Sequence, residues 1–144
     1  MKTLVHGDWV NINYKVDFPN IDKYDIDAKD QIQIKTDIIV DNLLYKNGFS
    51  ISPIEITNDI LIINGFEKYK DGPLTTYFRQ KDNPDGTDLY DITIYKDEDE
   101  KKYKVHVTNN EPYVNVIKYI SSVHELQTIL RVCELDDIAN NFKI

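Results

Sequence analysis

The chain holds one cysteine, Cys133, among its 144 residues. No disulfide can close within it, and the composition fits a reducing compartment. Glycine and proline number five each, too few for a loop-dominated protein. No apolar run approaches the roughly 20 residues of a membrane span. The opening MKTLVHGDWV has no apolar core behind Lys2, so it is not expected to be a signal peptide. These absences predict a soluble, cytoplasmic protein without a membrane partner. A basic excess is also missing. The formal charge is −8 and the pI is about 4.8. Residues 1–72 carry 12 acids and 8 bases, and residues 73–144 carry 13 and 9. Neither half is built to grip phosphates, so no nucleic-acid partner is expected. The sequence contains no G-x-S-x-G, no phosphate-binding glycine loop ending in lysine, no G-x-G-x-x-G and no H-E-x-x-H.

What is present suits a sheet. Ten tyrosines and many isoleucines favour strands. A chain of this size buries roughly 70% of its unfolded surface, enough to fold without a metal or a disulfide. Residues 7–15, GDWVNINYK, alternate: Val10, Ile12, Tyr14 and Val16 point one way, Trp9, Asn11 and Asn13 the other. Residues 17–30 are polar and acidic around Pro19 and read as a loop. QIQIKTDIIV, 31–40, reads as a strand.

A short echo follows. DNLLYKNGF (41–49) and NDILIINGF (58–66) both end an apolar run in Asn-Gly-Phe. Asn-Gly marks a tight hairpin or a helix end, because both need positive φ. Thr57 is a good N-cap after the extended Ile54–Ile56, so 57–64 is expected to be a short helix. Ile60–Ile63 is also good strand material. Residues 41–47 are expected to be a strand.

The second half reads as a meander. Strands are expected over Leu74–Gln80, Leu89–Lys96, Lys102–Thr108 and Pro112–Ile120, with turns at KDNPDG (81–86) and DEDEK (97–101). Such spacing predicts an antiparallel sheet with one wet face. A helix closes the series. Ser122 can cap it and Glu125 completes a capping box. Val123, Leu126, Ile129, Leu130 and Cys133 form an apolar stripe. His124, Gln127, Thr128 and Arg131 share the other side. The tail, Asp136–Ile144, is weakly determined.

The candidate chemistry is sparse. His6, His106 and His124 have no metal-ligand spacing with one another or with Cys133, so no metal or cofactor is expected. Cys133 lies on the apolar stripe and suits a small core residue better than a nucleophile. Acidic DKYDIDAKD (22–30) lacks the glycine and the closing glutamate of a calcium loop, and DEDE (97–100) is too short for a cage. No catalytic residue is assigned. The cluster with chemical potential is His124, Gln127 and Arg131, which can present donors along one line to a partner's carboxylate. A plain solvated helix face is the competing reading.

Three short segments carry a resemblance. They are Gly7-Asp8-Trp9-Val10, then Pro53-Ile54-Glu55-Ile56-Thr57 leading to Asn64-Gly65-Phe66-Glu67, then Tyr119-Ile120 with Val123-His124-Glu125-Leu126-Gln127. In this order the chain resembles a group of small uncharacterised proteins of Bacteroidetes and their phages or prophages. Asp8 stands where that group has asparagine, and Cys133-Glu134-Leu135-Asp136 lacks its Thr-Gly. The resemblance implies a mobile-element origin and no known activity, and it supports the helix at 57–64.

The expected fold is α+β: a small N-terminal antiparallel β unit (1–52), with an SH3-like barrel as one form, then a short helix, an antiparallel meander and a C-terminal helix packed on it (53–144). The two parts form separate units or one compact domain. The helix stripe is expected to cover Ile92, Ile94, Val105 and Val107. The leading functional expectation is a non-enzymatic accessory protein that binds another protein. The alternatives are a small-ligand binder or small enzyme with a pocket between the two β units, and a self-assembling structural component.

Overall fold

The computed structural model describes residues 7–14, 31–33 and 49–144. The expected loop at 17–30, the remainder of the strand at 34–40, the strand at 41–47 and the first copy of the echo up to Gly48 lie outside the described residues. The chain is α+β and divides into two units, Met1–Ile54 and Glu55–Ile144.

In the first unit β1 (Trp9–Tyr14) is the central strand of an antiparallel sheet, flanked by β2 (Gln31–Gln33) and β3 (Phe49–Pro53). The expected alternation holds where side chains are described: Val10 is buried, while Trp9 and Asn11 are half-exposed. Strand β3 was not anticipated. Pro53 ends it on the sheet's border, the place where a missing N–H costs no ladder bond.

The second unit begins with an extended segment. Glu55 bridges Ser122, and the Ile56 N–H donates to the Ser121 carbonyl at 3.1 Å. Helix α1 (Asn58–Ile63) follows. Thr57 caps it, its hydroxyl accepting from the Ile60 N–H at 3.2 Å. The helix ends where Asn-Gly stands. Gly65 takes φ +83°, its N–H donates to the Ile62 carbonyl, and the Phe66 N–H donates to the Leu61 carbonyl. This paired closure needs a left-handed residue, which glycine supplies without strain. The second Asn-Gly is therefore a helix end and not a hairpin.

Five antiparallel strands follow in sequence order: β4 (Glu67–Asp71), β5 (Leu74–Asp82), β6 (Asp88–Asp97), β7 (Tyr103–Asn110) and β8 (Tyr113–Ile120). Strand β4, EKYKD, shows no apolar alternation because it is a border strand with all five residues exposed. Ile92, Ile94, Val105 and Val107 are completely buried on one face of the sheet. Helix α2 (Val123–Val132) packs on β7 and β8, and its stripe of Val123, Leu126, Ile129, Leu130 and Cys133 is buried. Helix α1 sits over the same face near β5, where the Tyr77 hydroxyl donates to Asn58 Oδ1 at 3.0 Å and Arg79 Nη1 donates to the Asn64 carbonyl at 2.8 Å.

The tail is more ordered than its sequence suggests. Helix α2 stops with the same paired closure as α1: Glu134 N–H to the Arg131 carbonyl and Leu135 N–H to the Leu130 carbonyl. The left-handed residue is now Glu134, at φ +59°. Asn109 Nδ2, itself buried, donates to the Cys133 carbonyl at 2.7 Å and fixes this end of the helix to β7. Helix α3 (Asp136–Asn140) then buries Ala139, and Phe142 is buried after it. Asn64 Nδ2 donates to the Lys143 carbonyl at 2.7 Å and Asn64 Oδ1 accepts from the Lys143 N–H at 2.8 Å. One side-chain amide thus clasps the tail to the end of α1.

Candidate functional site

The polar side expected on α2 is divided by the fold. Gln127 is completely buried, and its Nε2 donates to the Ala139 carbonyl at 2.8 Å. It is a core residue that ties α2 to α3, which corrects its expected place on the outer side. A helical wheel at about 100° per residue puts Gln127 only about 40° from Val123, at the margin of the apolar stripe. The folding-back of α3 turns that margin into interior. His124 and Arg131 remain half-exposed. His124 Nδ1 lies 3.3 Å from Ser122 Oγ, and Arg131 Nη2 donates to Asn140 Oδ1 at 3.2 Å. With Gln127 turned inward, no line of three donors forms.

The capping box is present in modified form. Ser122 Oγ accepts from the Glu125 N–H at 3.4 Å and donates to Glu125 Oε1 at 2.7 Å, and the same carboxylate accepts from the Ser121 N–H at 3.5 Å. Glu125 is therefore occupied in starting the helix. Cys133 is buried, and burial pushes its thiol up from the ordinary value. A protonated, enclosed thiol is a poor nucleophile. Among the described residues no three His, Cys, Asp or Glu side chains gather as a metal ion requires. Acidic residues 22–30 lie outside the described residues.

A surface that the sequence pattern did not single out is the face of the sheet opposite the helices. Strand register defines it row by row. Tyr69, Thr76, Tyr95, Lys104 and Tyr119 stand directly opposite one another across all five strands. The next row is Glu67, Phe78, Thr93, His106 and Ile117. Tyr69 stacks on Phe78 with ring centroids 5.2 Å apart. Ile117 and Tyr119 are each 58% exposed and Tyr69 is 55% exposed. The Tyr69 hydroxyl donates to Glu67 Oε2 at 3.1 Å, and that hydrogen bond to a carboxylate holds the phenol above its ordinary pKa. His106 Nε2 lies 2.8 Å from Asn115 Oδ1, a contact that fits the tautomer with its proton on Nε2. The result is an apolar and aromatic band with polar groups between. Glu67, Asp71, Asp91 and Asp97 share this face with a single lysine, Lys104. Alternation by two separates the two faces within a strand, though not in β4, which shows none. It does not show that several residues of the open face are large and apolar on consecutive strands, because that needs the register.

An open groove of about 480 Å³ lies within the second unit, lined by Ile63, Asn64, Gly65, Arg79, Asp137, Ile138, Asn141 and Lys143. Arg79 is engaged there as the cap of α1. Among the described residues no helix is long and apolar enough to cross a membrane. Compared with family models, curated proteins and solved structures, the chain matches none.

Proposed function

We propose that this chain is a non-enzymatic binding protein whose working surface is the open face of the five-stranded sheet, and that its occupant is another protein. One observation carries the proposal. The helices cover one face of the sheet, and the other carries Tyr69, Phe78 and Tyr95 on three adjacent strands and Ile117 and Tyr119 on β8, with Lys104 and His106 between the two groups. Interface centres are rich in such aromatic groups and poor in charge, with polar groups at the rim. Carboxylates outnumber lysine on this face, so the complementary partner has an apolar centre and a basic rim. The resemblance to small proteins of Bacteroidetes and their phages supports an accessory role on a mobile element. The groove beside α1 favours a second reading, small-ligand binding, because it joins Ile63 and Ile138 to Arg79, Asp137 and Lys143 in one concavity.

The test places a photo-reactive residue at position 119, on the open face, or at 128, on the outer side of α2. Each is cross-linked in lysate and the attached peptides are sequenced. The proposal expects one protein other than this chain itself attached at 119 and not at 128, through a basic-rimmed apolar segment. Ile117→Glu should abolish the attachment, and His124→Ala with Arg131→Ala should leave it. Attachment at 128 alone, or insensitivity to Ile117→Glu, overturns it.

A further inference from the structure

The two borders of the five-stranded sheet are unlike. Border strand β4 reads EKYKD, with four charges in five residues. Charged side chains are a usual guard against pairing with another chain. Border strand β8 reads YVNVIKYI, eight residues with one charge, Lys118. Its ladder to β7 runs unbroken from Asn110–Tyr113 to Tyr103–Ile120, without the register shift that interrupts β5 and β6. Among the described residues no strand pairs with its outer side. Tyr113 is 70% exposed, and Ile117 and Tyr119 are 58% exposed. A long, weakly charged border strand with an unbroken register, its outer side unpaired among the described residues, is a template for strand addition.

We infer that β8 pairs with β8 of a second copy, antiparallel about a two-fold axis at Val116, joining two five-stranded sheets into one. The ends of the free strand limit the register. Pro112 offers no N–H at one end, and Ser122 already pairs with Glu55 near the other. Opposed residues must share a face, so the sum of their numbers is even. An axis at Val116 pairs every residue from 113 to 119. Tyr113 then meets Tyr119 of the second copy, Asn115 meets Ile117, and Val116 meets itself. Lys118 falls opposite Val114, so no two lysines face each other. Aromatic and β-branched cross-strand pairs of this kind stabilise antiparallel ladders, and opposed like charges disrupt them. The strand is thus complementary to its own reverse, as an isologous contact requires. One strand pairing buries less than a standard interface, so association belongs in the micromolar range. Each copy carries a charge of −8, so added salt should tighten the dimer by screening the repulsion.

Sedimentation velocity of the full chain over a concentration series, at low and high salt, tests this. The wild type should pass from monomer to dimer, at lower concentration in high salt. Val116→Lys and Val116→Glu each set like charges across the axis, and each alone should remain monomeric while keeping the wild-type circular dichroism spectrum. Mixed in equal amounts they should regain the dimer, because Lys then faces Glu. Rescue by mixing separates a broken contact from a broken fold. A wild type that stays monomeric at the highest concentration, as it would if β8 served only an unrelated extended peptide, overturns the inference. So does dimerisation unaffected by either variant, or a mixture that stays monomeric.

Discussion

Replacing Gln127 separates a structural amide from a recognition amide. The side chain is completely buried, and its Nε2 gives the Ala139 carbonyl a donor at 2.8 Å. Gln127→Ala removes that donor and leaves the carbonyl only the Phe142 N–H at 3.4 Å, a net loss of about 0.5–1.5 kcal/mol. The deleted atoms leave a space that α2 and α3 close only in part, adding about 1–2 kcal/mol. The expected loss is therefore about 1.5–3.5 kcal/mol. Gln127→Met keeps most of the volume and removes the amide, so it should lose about 0.5–1.5 kcal/mol. Gln127→Glu adds a pH signature. Burial raises the carboxyl pKa in the folded state above its unfolded value of about 4.3. A group shifted in this direction contributes its stability in full below the unfolded pKa and loses it as pH rises through the folded pKa. The Glu variant should thus approach wild-type stability in acid and fall well below it at neutral pH. Urea unfolding followed by far-ultraviolet circular dichroism measures all three. A Gln127→Ala midpoint within about 0.5 kcal/mol of wild type would refute the reasoning and return the amide to the surface.

Three further outcomes follow from the same packing. Glu134 holds the left-handed position that Gly65 fills at the end of α1, so Glu134→Gly should stabilise the fold by about 0.5–1 kcal/mol in thermal or urea unfolding. Leu130→Ala removes a completely buried side chain between α2 and the sheet and should cost about 2–5 kcal/mol by the same assay. Cys133 should resist aromatic disulfide reagents until urea unfolds the chain. Because burial raises its pKa above the ordinary value, its contribution to stability is complete below the unfolded thiol pKa and is lost as pH rises past it; Cys133→Ala should flatten that alkaline decline.

Much of the second unit was legible because its signals are local. Strand alternation located Ile92, Ile94, Val105 and Val107, and the wheel located Leu126 and Leu130. Thr57 and Ser122 announced two helix starts by their chemistry alone. What stayed hidden depends on distant partners. Strand β4 forms because β5 offers it a ladder, not because EKYKD favours extension. Gln127 became interior only when Ala139, 12 residues on, arrived over it. The open-face band exists only once four ladders set Tyr69, Tyr95 and Tyr119 in one row. Such an arrangement has no signature within any one segment.

The amide of Asn64 spans 79 residues to reach Lys143, and this sets an order of events during synthesis. The meander and α2 can assemble as they emerge, because each new strand pairs with the one before it. Helix α1 is made before any of them, yet one of its anchors is made after all of them. Until residue 143 leaves the ribosome, the Asn64 side chain has only the Ile60 carbonyl of its own helix. Contacts of such long separation carry the largest chain-closure cost and form late. The end of α1 therefore waits through the translation of the whole sheet, and a nascent chain halted before residue 143 should leave that corner open to proteolysis while the meander is already protected.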